Sequence, residues 1–318
     1  MAPMPGAGEV LEVRGAVRTH PGGRGLHGAA LSLRAGELYA LLGPNGAGKT
    51  SLVRAICGRL RLDAGEVRVF GRDPRSDRGV RRRIGLVPQE IALYPDLTAR
   101  ENLQALGRLA GLGAADATAA AARGLAWVGL EDRADSLART LSGGMRRRLN
   151  LAAGVLHAPG LVLLDEPTAG VDPGAREQLH ALLRDLRDRG AALLLATHDL
   201  EQAEELADRV GLLVDGRVRE EGTPAELVEK AFRGAREVGV TLARAPDATQ
   251  QAALRHEGLA PDPGGQTWTG PLPGGLDALA GLGERLARGE LAVAELRLRE
   301  PGLRGVFLRL TESRQGSP

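Results

Sequence analysis

One stretch, Gly43-Pro44-Asn45-Gly46-Ala47-Gly48-Lys49-Thr50, limits what this chain can fold into more than anything else in it. It fits the pattern G-x-x-x-x-G-K-S/T. The short apolar run Leu38 to Leu42 precedes it, and Leu52, Val53, Ile56, Cys57 and Leu60 follow at helical spacing, with Cys57 on the face to be buried. Strand, glycine loop, helix is the setting in which such a loop wraps a phosphate chain. The glycines let the backbone turn until successive N–H groups point inward at anionic oxygens. Lys49 then places an ammonium at the β- and γ-phosphates, and Thr50 offers a hydroxyl to Mg²⁺. Ser51, next in the chain, is counted with the nucleotide-binding residues. Of 42 basic residues only Lys49 and Lys230 are lysine. A lysine kept inside the glycine loop of so arginine-rich a chain points to a site that needs a compact ammonium rather than a planar guanidinium.

Leu161-Val162-Leu163-Leu164 is an apolar strand that ends in Asp165-Glu166. Neighbouring side chains on a strand aim in different directions. Asp165 can therefore hold Mg²⁺, directly or through water, while Glu166 orients and deprotonates an attacking water. Leu141-Ser142-Gly143-Gly144 opens an arginine-rich helix at Met145. Ser142 can cap that helix and the glycines expose its first N–H groups, which makes a second anion-binding helix end. Taken alone it would be an ordinary N-cap. Gln89 follows Ile84 to Pro88, and His198 follows Leu193 to Thr197. A single Gln or His is usually structural, yet both stand just past strand carboxyl ends, where open α/β sheets place ligands.

Further short apolar runs at Ile84–Val87, Ala192–Leu195 and Val210–Val214 alternate with helical patterns, which argues for α/β layering on a largely parallel sheet. Val10–Val13 and Ala30–Leu33 read as edge strands of an antiparallel piece. Asp215-Gly216 signals a hairpin from Val210–Val214 to Val218. Between Tyr94 and Leu156 strand signals vanish, and a helical subdomain over about 90–158 is expected. Thr223-Pro224 opens a helical linker. Beyond Val238 proline and glycine accumulate around weak strands at Val238–Ala243 and Leu291–Leu298, which predicts a small α+β unit. The expected domains are 1–225 and 226–318.

The order Gly43–Thr50, Gln89, Leu141–Met145, Leu161–Glu166, His198 resembles the ATP-binding cassette (ABC) family over roughly residues 9–225. The resemblance implies a P-loop NTPase fold: a RecA-like α/β core with an antiparallel β piece and a helical subdomain, followed here by the small C-terminal α+β domain. It implies an ATPase coupled to transmembrane transport, with ATP and Mg²⁺ as cofactors. By that resemblance Gln89 is the Q-loop glutamine that senses Mg²⁺ and couples to a membrane partner. Ser142, Gly143 and Gly144 belong to the signature motif, Asp172 is the D-loop aspartate, and His198 is the switch histidine facing the γ-phosphate. Glu166, His198 and Gln89 are the catalytic set, and Thr50, Gln89 and Asp165 the metal set. A head-to-tail homodimer, or a dimer with a closely related subunit, is also implied, with each ATP between Gly43–Thr50 of one subunit and Ser142–Gly144 of the other.

Two positions depart from the family pattern. Met145 stands where the signature usually has Gln, which leaves the backbone donors in place. His20 stands where an adenine-stacking aromatic is usual, which weakens the stack and relaxes the preference for ATP over GTP. Leu141–Leu149, Thr168–Pro173 and Arg299–Thr311 resemble the daunorubicin-resistance type of ABC ATPase. Such ATPases pair with separate ABC-2 type permeases at the cytoplasmic face of the cell membrane. Export of a drug, antibiotic or other hydrophobic compound follows from that resemblance.

Composition narrows the alternatives. A single cysteine rules out a disulfide framework or a cysteine-rich metal site. No apolar run approaches the roughly 18 residues that span a bilayer, and MAPMPGAGEV lacks the charged start and apolar stretch of a signal peptide. Net charge is only +2. The basic runs Arg81–Arg83 and Arg146–Arg148 read as solvated helix faces, so no nucleic-acid partner is expected. The alternative is a soluble ABC ATPase acting on nucleic acid or the ribosome. Those typically carry two cassettes, a coiled-coil insertion or zinc cysteines, whereas this chain has one cassette, no sustained heptads and one cysteine. Tyr94, Pro95 and Leu97 form an apolar segment suited to a permease.

Overall fold

Leu161–Asp165 and Ala192–Thr197 are buried at every position. Strands apolar on both faces belong in the middle of a sheet covered on both sides. The computed structural model, which describes residues 9–262 and 264–312, places them there. The reading of the extreme N-terminus, residues 1–8, lies outside the described residues.

The chain divides into two compact units, residues 1–221 and 222–318. In the first, β1 (Glu9–Thr19), β2 (Gly25–Arg34), β3 (Leu38–Leu42), α1 (Lys49–Ile56), β4 (Ala64–Val69), α2 (Arg78–Arg81) and β5 (Ile84–Val87) are followed by helices alone: α3 (Ala99–Leu109), α4 (Ala114–Trp127) and α5 (Gly143–Val155). Then come β6 (Leu161–Asp165), α6 (Pro173–Asp188), β7 (Ala192–Thr197), α7 (Leu200–Leu206), β8 (Arg209–Val214) and β9 (Arg217–Gly222). The main sheet has the order β5-β6-β7-β3-β8-β9 and is parallel from β5 to β8. A second, antiparallel sheet has the order β2-β1-β4. The β8–β9 turn carries Asp215 and Gly216, both at positive φ, as a tight hairpin requires.

Alternation along β6 and β7 divides the core. Leu161, Leu163 and Leu194 pack with Leu52, Val53 and Ile56 of α1 and with β1 and β2. Val162, Leu164, Leu193 and Leu195 pack with Leu151 of α5 and with Leu179 and Leu183 of α6. Cys57, at the C-cap of α1, is buried in the first of these clusters, and burial pushes its thiol up to about 11. The α3–α5 region holds its own core of Leu103, Ala121, Leu125, Leu141 and Leu149.

The second unit contains α8 (Pro224–Phe232), β10 (Arg236–Leu242), α9 (Ala248–His256), β11 (Ala260–Pro261), β12 (Thr267–Leu272), α10 (Gly275–Arg288), β13 (Val293–Arg299) and α11 (Leu303–Glu312). Its antiparallel sheet, β11-β12-β10-β13, buries Val238, Val240 and Trp268 against Leu254 of α9 and Leu282 and Leu286 of α10. Among the described residues no helix is long and apolar enough to cross a membrane.

Candidate active site

The carboxyl ends of β3, β5, β6 and β7 converge on a cavity of about 300 Å³. Its lining includes Pro44, Asn45, Gly46, Gly48, Lys49, Thr50, Ser51, Gln89, Asp165, Glu166 and His198, with His20, Arg24 and Gly25 at one side. Gly43 and Ala47 support the loop from behind. A Cβ on Gly43 would stand 2.4 Å from the Leu213 carbonyl, and the Ala47 carbonyl accepts from Gly216 N–H at 3.0 Å. Gly48 sits at φ 110, where a Cβ would meet the Gly25 carbonyl at 2.7 Å. It is also the N-cap of α1 and offers no side-chain cap. The first N–H groups of α1 therefore open into the cavity without an intrahelical acceptor.

Lys49 is buried at 7% exposure. Its Nζ donates to the Gly43 carbonyl at 2.6 Å and the Pro44 carbonyl at 3.3 Å, and lies 3.9 Å from Glu166 Oε1. Burial lowers the ammonium's pKa, against the pull of Glu166 and Asp165. Thr50 Oγ1 donates to Asp165 Oδ2 at 3.2 Å. Burial raises the Asp165 carboxyl, with the Thr50 hydrogen bond opposing it. Glu166, at φ 49, has a left-handed backbone, a costly conformation for a non-glycine residue. Its N–H donates to the Ala196 carbonyl at 2.9 Å. Its carboxylate is bracketed by His198 Nδ1 at 2.7 Å and by Thr197 Oγ1, which donates at 3.3 Å. His20 Nε2 lies 3.0 Å from Ser51 Oγ.

This cavity suits a polyanion with a hard cation. One wall offers N–H donors and an ammonium. The other offers a hydroxyl, an amide and two carboxylates, all oxygen donors of the kind a divalent ion such as Mg²⁺ takes.

Ser142, Gly143, Gly144 and Asp172 lie outside the cavity. Ser142 caps α5, its Oγ accepting from Met145 N–H at 3.2 Å. Asp172 caps α6 by accepting from Ala175 N–H at 2.9 Å. A Cβ on Gly144 would come within 2.8 Å of Ala175 Cβ, so this glycine lets the two helix starts approach.

One expectation is overturned. Arg146–Arg148 do not form a solvated face: all three are half-buried, and Arg147 donates to the carbonyls of Gln89 and Ala169. In the other run Arg82 and Arg83 are exposed, as expected, and Arg81 alone is half-buried, donating to the carbonyls of Pro74 and Arg75. Thr197, Asn150 and Asn102 are functional neighbours that the sequence does not single out. Thr197 had a signal, its place beside His198 at a strand end. The two asparagines, in the middle of helical patterns, had none.

Comparison with known proteins fits this geometry. The ABC transporter family matches residues 26–169. Over 307 residues the chain is 39% identical to the daunorubicin resistance ATP-binding protein DrrA3 of Streptomyces coeruleorubidus, covering 96% of each chain. The chain belongs to the ABC transporter family. Its ABC cassette is an ATPase, as the cassettes of this family are. It is also 43% identical over 205 residues to Nod factor export ATP-binding protein I of Burkholderia orbicola, covering 64% of this chain and 67% of that one. The ABC cassette MJ0796, solved as a dimer in a post-hydrolysis state bound to ADP and Pi, superposes with a TM-score of 0.60 at 27% identity, covering 67% of this chain and 98% of that one.

Proposed function

We propose that this chain is the ATP-hydrolysing motor of an export system. It drives a separate ABC-2 type permease that carries a drug, antibiotic or other hydrophobic compound, and works as a head-to-tail dimer at the cytoplasmic face of the membrane. Residues 1–225 serve as the cassette and 226–318 as an accessory domain. Relatives named for daunorubicin resistance and Nod factor export support the direction of transport.

The observation that carries this reading is the separation of two helix starts, one at Gly48–Lys49 and one at Ser142–Gly144. The α1 start faces the cavity with Lys49 and Glu166, while the α5 start at Ser142–Gly144 stands apart from it. A second copy turned head to tail would bring its Ser142–Gly144 onto the open side of the cavity. Each nucleotide then gains a second set of N–H donors, and closure excludes water around the phosphates.

The chain's own residues divide the work. The Gly43–Thr50 loop and Lys49 hold the triphosphate. Thr50, Asp165 and Gln89 would hold Mg²⁺, which when bound neutralises phosphate charge. Glu166 accepts a proton from the attacking water. His198, bonded through Nδ1 to Glu166, holds that carboxylate in place beside the position the terminal phosphate would take.

A mixing experiment tests the shared site. Lys49→Ala and Ser142→Arg should each be inactive in ATP hydrolysis alone. Mixed, they form heterodimers with one intact composite site, and turnover should return. A mixture that stays inactive, or a Ser142→Arg chain that turns over normally, contradicts the arrangement.

A further inference from the structure

We propose that Arg147 is a clasp joining the two loops beside the reacting end of the nucleotide, the one that carries Gln89 and the one that follows Glu166. The proposal rests on the reading above that both loops serve ATP hydrolysis. From the second turn of α5 the Arg147 guanidinium donates through Nη1 to the Gln89 carbonyl and through Nη2 to the Ala169 carbonyl, the latter at 2.9 Å. One turn further along α5, on the same face, Asn150 is 2% exposed. It accepts from Ala92 N–H at 3.0 Å and donates to the Pro88 carbonyl at 3.4 Å. The helix thus grips the Pro88–Ala92 segment at Pro88, Gln89 and Ala92. Of these two side chains only Arg147 also reaches the loop after Glu166.

The residue type fits the task. A planar fork of N–H donors can serve two carbonyls from different segments at once, whereas an ammonium on a flexible stem cannot fix their spacing. Arg147 pairs with no carboxylate among the described residues, and burial lowers its pKa. A half-buried cation answered only by carbonyls is a poor source of stability. Methionine would fill the same space without the desolvation cost. What the guanidinium supplies is position, because it ties the main chain at Gln89 to the main chain at Ala169. The helix that carries it also begins at Ser142-Gly143-Gly144. A displacement felt at that end is carried by a rigid rod to both loops. Arg147 is therefore a positioning residue, acting through two backbone carbonyls and contacting no nucleotide.

The test uses the full chain. Arg147→Met should lower kcat for ATP hydrolysis about tenfold. Equilibrium affinity for ATP should stay within about twofold of wild type, and Tm should hold or rise. Arg147→Ala should lose turnover in the same way and regain part of it on addition of guanidinium ion, which wild type should not. A wild-type kcat in Arg147→Met overturns the clasp. So does a joint fall of kcat and Tm, or of kcat and ATP affinity, since Arg147 would then be plain support. Glu166→Gln measured alongside separates the two levels. If it is inactive while Arg147→Met is normal, only the clasp fails. If it turns over freely, the site reading fails and takes the clasp with it.

Discussion

Glu166 accepts a left-handed backbone in order to end β6, turn away from Asp165 and bring its carboxylate to His198 and Thr197. Strain of that kind gathers at functional sites. Asp165 is a second residue placed at a cost. Its carboxyl is raised above the ordinary value of 3.8, first by burial and further by the neighbouring Glu166 charge. A carboxyl raised in the folded state binds more protons there than in the unfolded chain. Its contribution is fully present below pH 3.8 and is lost as pH rises through the folded pKa. At neutral pH without a cation, Asp165 therefore opposes folding. Asp165→Asn should raise the Tm of the nucleotide-free chain by about 2 °C at pH 7, with no gain near pH 3, while Mg²⁺-dependent hydrolysis is lost. Thermal melts across pH check the sign. The motif residues were legible because their chemistry needs a fixed type at a fixed spacing. Arg147 was not, because one guanidinium within an arginine run looks like any other until its acceptors are known.

At the scale of elements, strands that run through the centre of the main sheet announce themselves, since burial on both faces requires unbroken apolar residues. β3, β6, β7 and β8 were readable for that reason. β4 and β12 were not. β4 is Ala-Gly-Glu-Val-Arg-Val, an edge strand that presents Glu66 and Arg68 to solvent. β12 contains Gly270 and Pro271, which read as loop. Its neighbour β11 is only two residues long, so the sheet has an edge at Pro271 and the missing N–H is tolerated. A separate test concerns Tyr39 in β3. Its side chain is fully buried, its hydroxyl has no hydrogen-bond partner among the described residues, and burial raises its pKa strongly. A Cβ at Gly211 would lie 2.0 Å from that hydroxyl, so the glycine on β8 makes room for it. Tyr39→Phe should stabilise the chain by about 1 kcal/mol, read as a higher urea midpoint. A fall in the midpoint would mean the hydroxyl has a partner in solution.

At the scale of the whole molecule, the proposal is that ATP binding is converted to work on another polypeptide, so one exposed surface must meet it. Tyr94 is 48% exposed although its backbone is fixed on both sides by Asn102, which is fully buried. An aromatic ring held outside on a rigid segment beside the Gln89 loop suits a permease contact. Tyr94→Glu should abolish copurification with the permease and leave ATP affinity unchanged. Retained copurification would move the contact elsewhere.

Phosphate release by Glu166→Gln at saturating Mg-ATP tests whether Glu166 readies water beside a gripped triphosphate. The prediction is a fall of at least about 100-fold in turnover with ATP still bound. Turnover equal to wild type would remove Glu166 from the chemistry.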